Sequence, residues 1–139
     1  ITKEQVEKAL DLVGLTEYVS TLEKGLDTKI TSDTLFSQGQ KQLLAIARAI
    51  VTNPPVLLLD EITANLDSIT EEKIVSVLQE VSKAHTILSI SHRLSAMISS
   101  DTVVILENGR VKNVGSPKML LENDDWYRSH MALEKLTWS

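Results

Sequence analysis

Two adjacent carboxylates, Asp60 and Glu61, end the apolar run Pro55-Val56-Leu57-Leu58-Leu59. A strand hydrophobic on both faces belongs in the middle of a parallel sheet. Such sheets carry their chemistry at the carboxyl ends of their strands. Asp60 and Glu61 are therefore expected at a crevice, adjacent in the chain but pointing in different directions. One suits a hard cation and the other a water molecule. A second cluster, Ser37-Gln38-Gly39-Gln40, opens a strongly patterned helix. Serine before a helix is a natural N-cap, and Gly39 lets backbone approach a partner closely. A helix start with exposed amides, a hydroxyl and a glutamine amide can hold a terminal phosphate. Read alone, the cluster is more simply a plain cap. His92 follows another apolar run. A lone histidine there is more often structural, unless its strand lies beside the one ending at Asp60.

The elements that must position these residues are legible from periodicity. Residues 3–13 place Val6, Ala9, Leu10 and Val13 on one helical face, with Gly14 just beyond. A short helical turn is expected near 17–22, then a polar connector over 24–34. Residues 37–51 form a helix whose apolar stripe is Leu43, Leu44, Ile46, Ala47, Ile50 and Val51, stopped by Asn53-Pro54-Pro55. The acid-ended strand and a loop through 63–67 follow. The helix over 68–81 turns Ile74, Val77, Leu78 and Val81 inward, and Asp67 is its natural N-cap. Residues 85–91 read as a second buried strand. Segments 102–106 and 111–114 flank Asn108-Gly109, a two-residue hairpin signal. Two helices are expected over 117–138. Strand, helix, strand in the middle argues for a right-handed parallel unit.

Composition narrows the classes. A chain of 139 residues, 42% hydrophobic and 24% charged, has the make-up of an ordinary soluble domain with a sizeable core. Its 14 basic and 19 acidic side chains give a net charge of −5, so no general attraction to nucleic acid or anionic lipid is implied. With no cysteine, disulfides and thiolate metal sites are excluded. His85, His92 and His130 lack metal-ligand spacing. No apolar run approaches the roughly 20 residues that span a bilayer, and no signal peptide is expected. The first residue is Ile1, so the chain is expected to start inside a longer or processed protein.

Four segments together carry a resemblance. Leu35-Phe36-Ser37-Gln38-Gly39-Gln40, with the helix after it, resembles the signature motif of ABC-type ATPases. The run ending in Asp60-Glu61 is similar to their Walker B strand with its catalytic glutamate. Ala64-Asn65-Leu66-Asp67 resembles their D-loop, and Ser91-His92-Arg93-Leu94-Ser95 their switch-histidine loop. The four stand in the family's order, and the resemblance covers essentially the whole chain. The His-Arg-Leu-Ser form, followed by residues 101–115, looks most like the exporter branch.

The resemblance implies an α/β fold, part of a P-loop NTPase of ABC type with parallel core strands, a helical signature subdomain and an incomplete sheet. The implied divisions are a helical portion over 1–53, core over 54–115 and a helical tail over 116–139. Asp60 would hold Mg²⁺ through water, and Glu61 would orient or deprotonate the attacking water. His92 would hydrogen-bond the γ-phosphate. Ser37, Gln38, Gly39 and Gln40 would contact ATP held by the opposite subunit, and Asp67 would couple the two subunits. Implied partners are a second nucleotide-binding domain, head to tail, and transmembrane domains at the cytoplasmic face of a membrane, with no nucleic acid. His85, His130, Trp126 and Tyr127 read as structural. Other readings are a non-transport ABC ATPase acting on nucleic acid or ribosomes, and a non-hydrolysing regulatory half.

Two positions depart from the family. Gln38 stands where the second signature residue is usually glycine, and residues 29–34 lack the Glu/Gly-rich segment common in exporters. The phosphate-cradling pattern G-x-x-x-x-G-K-[ST] is also missing. The five glycines, at 14, 25, 39, 109 and 115, never form it. Hydrogen bonds to charged groups contribute about 1.5–3 kcal/mol each, and each ~1.4 kcal/mol is tenfold in affinity. These residues alone are therefore expected to bind MgATP negligibly and to hydrolyse none. An incomplete sheet with exposed edges is expected to self-associate.

Overall fold

Helix α1, Lys3–Leu12, begins where Thr2 and Gln5 cap each other reciprocally, side chain to backbone. The computed structural model describes residues 1–137. They fall into two compact units, 1–90 and 91–137. In the first, α1 is followed by α2 (Thr16–Ser20), α3 (Gln38–Ile50), β1 (Val56–Asp60), α4 (Ser68–Val81) and β2 (Thr86–Ile90). Gly14, at φ +73°, turns the chain out of α1. Beyond α3, Asn53 takes the same left-handed region before the two prolines.

The core of this unit joins one face of each helix. Ala9, Leu10 and Val13 meet Leu43, Ile46, Ala47 and Ile50, with Ile74 and Val81 of the α4 region and Leu57 of β1. These are the stripes that the periodicity predicts. Strands β1 and β2 pair in parallel, Val56 against Thr86 through Asp60 against Ile90. His85 Nδ1 donates to the Pro54 carbonyl at 2.5 Å, fixing the start of that pairing.

The strands differ from expectation in burial. β1 alternates, with Leu57 and Leu59 buried while Val56 and Leu58 are exposed, Leu58 to 74%. β2 is largely exposed, with Leu88 and Ile90 both at 59%. The expectation of two strands buried on both faces is thus corrected. Within this unit the helices pack with Leu57 on one face of the two-stranded sheet, and Val56, Leu58, Leu88 and Ile90 stay exposed.

The second unit contains a 3-10 turn at Leu94–Met97, β3 (Val103–Glu107), β4 (Arg110–Gly115), α5 (Pro117–Asn123) and α6 (Asp125–Thr137). β3 and β4 form an antiparallel hairpin, with Asn108 and Gly109 at φ +51° and +73° as a two-residue turn requires. Leu94, Val103, Ile105, Leu120, Tyr127 and Met131 form its core. Trp138, the expected last residue of the final helix, lies outside the described residues.

Candidate functional site

Asp60 is the last residue of β1 and is exposed. Its neighbour Glu61 donates its backbone N–H to the Ile90 carbonyl at 2.8 Å, extending the β1–β2 ladder by one bond. The chain then turns sharply. Glu61 adopts φ +48°, a left-handed conformation that a residue with a Cβ takes up only at an energetic penalty. The Ala64 N–H closes the turn on the Glu61 carbonyl at 3.0 Å. The two carboxylates thus stand at the carboxyl end of a parallel strand, and the backbone reverses character between them.

At the start of α3, Ser37 Oγ accepts from the Gln40 N–H at 3.1 Å, and Gln40 Oε1 accepts from the Ser37 N–H at 2.9 Å. The cap reading is therefore realised. It leaves the Ser37 hydroxyl proton and the Gln40 amide protons able to donate elsewhere. Gln38, at the first helical position, is exposed. Gly39 is buried, and the close approach it permits is made from within the chain. A Cβ built there would meet Thr70 Cγ2 of α4 at 2.3 Å.

Thr70 also serves Asp67. That carboxylate caps α4, accepting from the Thr70 N–H at 3.0 Å and the Thr70 hydroxyl at 2.6 Å. These bonds, the hydroxyl's first, hold the Asp67 carboxyl below its ordinary range. One threonine therefore links the signature-like helix start to the D-loop-like one. Nothing in its spacing marks it in the sequence. Tyr18 is a second residue that pattern alone misses. Its hydroxyl donates to the Leu35 carbonyl, and its ring lies 5.4 Å from that of Phe36, fixing the approach to Ser37.

His92 belongs to the second unit, two residues beyond the end of β2. It is exposed at the tip of a turn closed by Ser91, whose Oγ accepts from the Arg93 N–H at 3.0 Å and donates to the Arg93 carbonyl at 3.3 Å. His85, by contrast, is engaged with Pro54, and His130 Nδ1 donates to the Trp126 carbonyl at 2.9 Å. Tyr127 is fully buried, its hydroxyl without a hydrogen bond, and burial first, then the charge of Glu134, pushes its pKa up.

The first unit thus brings Asp60 and Glu61 together at one strand end, and ties residues 37–40 to Asp67 through Thr70. No group of three or more His, Asp or Glu side chains that could by itself hold a metal occurs among the described residues. No described helix is long and apolar enough to cross a membrane.

Comparison with known proteins bears on this arrangement. The family described as "ABC transporter" matches residues 1–64. The multidrug resistance-like ATP-binding protein MdlB of Buchnera aphidicola is 41% identical over 128 residues, covering 91% of this chain and 22% of that protein. The ATP-dependent lipid A-core flippase of Vibrio vulnificus is 40% identical over 127 residues, with coverage of 91% and 22%. The solved structure of a bacterial Atm1-family ABC exporter with ATP bound superposes with a TM-score of 0.82 at 37% identity. It covers 96% of this chain and 23% of that one. The chain spans about a fifth of the length of the curated relatives it matches.

Proposed function

We propose that this chain, which is similar to part of the ATP-binding domain of ABC exporters, supplies the C-terminal part of such a domain in an exporter-like transporter. There it couples ATP binding and hydrolysis to transport across a membrane. The observation that carries the reading is the end of β1, where Asp60 is followed by Glu61 at φ +48°. A strained backbone at a paired carboxylate is what a site that must aim two acids differently needs.

The residues fit MgATP in chemistry. Asp60 offers hard oxygen donors to Mg²⁺ through water. Ser37, Gln38, Gly39 and Gln40 offer a hydroxyl, side-chain amides and helix-start N–H groups to a phosphate. Bound MgATP supplies the phosphoanhydride bond and the screening of its charge. Glu61 orients or deprotonates the attacking water, and His92 donates a hydrogen bond to the terminal phosphate. Asp67 communicates with the second nucleotide-binding domain, whose nucleotide residues 37–40 reach in a head-to-tail pair.

We retain the functional division into 1–53, 54–115 and 116–139. The remainder of the domain would lie over exposed Val56, Leu58, Leu88 and Ile90 and bring the phosphate loop. Transmembrane domains would hold the assembly at the cytoplasmic face of a cell membrane. The likeness to a lipid A-core flippase and to an Atm1-family exporter supports an exporter over action on nucleic acid.

The test is turnover by the intact protein. Glu61→Gln is expected to lower kcat by about 10²–10⁴-fold, the usual worth of a general base, while ATP still binds. The 139 residues alone are expected to release no phosphate above buffer. A Glu61→Gln protein turning over at the wild-type rate would overturn the reading.

A further inference from the structure

We propose that Glu134, on α6, is a positioning residue for His92. The inference rests on the reading above, in which His92 acts at the terminal phosphate. His92 is held from both sides in sequence. Upstream, the Ser91 hydroxyl bridges the N–H and carbonyl of Arg93. Downstream begins the 3-10 turn Leu94–Met97, and its N-cap residue, Arg93, provides no side-chain cap. The cap comes instead from far along the chain. The Glu134 carboxylate accepts from the Leu94 N–H at 2.8 Å, from the Ser95 N–H at 3.2 Å, and from the Ser95 hydroxyl.

Three donors converging on one carboxylate make charge-assisted bonds, stronger than neutral ones. The grip is doubled by packing. The Leu94 side chain is buried in the same cluster as Tyr127 and Met131, which lie on α6 with Glu134. Between the Ser91 turn and the clamped Leu94 amide only His92 and Arg93 remain, so the imidazole's position follows that of α6. A helix that makes no direct contribution to the reaction thereby sets where a reacting group stands. Glu134 acts on His92 through the backbone, without touching the substrate.

The experiment compares Glu134→Ala, Glu134→Gln, His92→Ala and the Glu134→Ala/His92→Ala double variant in the intact transporter. Readouts are kcat and KM for ATP, and hydrogen exchange at the Leu94 and Ser95 amides. Glu134→Ala is expected to lower kcat about tenfold or more with little change in KM, and to speed exchange at both amides by about tenfold. Glu134→Gln keeps an acceptor oxygen and is expected to fall between, which covers the case in which the alanine variant does not fold. Glu134→Ala should cause no further loss once His92 is gone, because both changes act through one group.

An equal loss in the His92→Ala background would overturn the inference, since Glu134 would then act independently of His92. Unchanged exchange at Leu94 and Ser95 would overturn the clamp itself. Normal turnover by His92→Ala would instead overturn the functional reading on which the inference rests, and with it the catalytic claim for Glu134.

Discussion

The N-terminal unit holds its chemical groups by short reach, and the C-terminal unit holds its one by long reach. Ser37 and Gln40 cap each other across three residues, and Asp67 reaches Thr70 across the same distance. The loop after His92 depends on a carboxylate 40 residues away. A local cap forms wherever its helix forms, because the partners are delivered by the helix itself. A distant cap exists only after α6 has docked. Segments of the first kind are built in place, whereas the histidine loop is positioned by the rest of its unit.

Short reach does not account for Gly39, whose close neighbour comes from α4. Thr70 Cγ2 occupies the space a Cβ would need. Threonine is stiff at χ1, and its hydroxyl is already committed to Asp67. Gly39→Ala gains up to about 1 kcal/mol of helix propensity, but overpacking of this kind destabilises by about 1–3 kcal/mol. The net expectation is destabilisation of roughly 1 kcal/mol or more by denaturant unfolding. Thr70→Ser removes the methyl and keeps the hydroxyl, so adding it should recover most of the loss. Additive effects of the two substitutions would mean that their contact is not the constraint.

Ser37→Ala tests the short-reach side alone. Loss of an N-cap serine destabilises by about 0.5–2 kcal/mol. Gln40→Ala should then add little in the Ser37→Ala background, because the two bonds form one reciprocal box. Opening should stay at the first turn of α3, seen as faster exchange at the Gln40 and Lys41 amides. Fast exchange along the whole helix would show that the cap supports more than its own turn.

The same distinction decides what could be read from the sequence. The helices, the Asn108-Gly109 hairpin and both caps follow from neighbours in the chain, and the structure has them where periodicity and turn chemistry place them. The positions of Asp60, Glu61 and His92 at or just beyond strand ends follow from the apolar runs before them, and the roles proposed for them rest on resemblance. Burial of the strands was misread because an apolar run records which layers the whole protein provides. The helices of the first unit pack on one face, so Leu57 is buried and Leu58 is not. Tyr18 and Glu134 left no trace because their partners are 17 and 40 residues distant. Thr70 is likewise invisible, since a helix threonine has no periodic signature of the glycine it packs against.

Two aspartates carry the comparison to a smaller scale. Asp67 is held below the ordinary carboxyl range first by the hydroxyl of Thr70 and next by that residue's N–H. Asp124 is held low first by the Asn113 amide of β4, at 2.9 Å, and next by the Tyr127 N–H. Both pKa values are depressed by folding. Each group's contribution is therefore fully present above the unfolded value near 3.8 and is lost as pH falls through the folded value. Thr70→Val keeps the shape and removes the hydroxyl, so Asp67 should titrate higher, closer to an ordinary carboxyl, while Asp124 stays. Asn113→Ala should do the converse. Carboxyl-carbon NMR between about pH 2 and 6 resolves the two, since this range brackets the carboxylate titrations. If Asn113→Ala left Asp124 titrating unchanged, its backbone cap at Tyr127 would suffice alone. The C-terminal unit would then use long reach only where Glu134 holds the loop beside His92, and short reach everywhere else that a charge is capped.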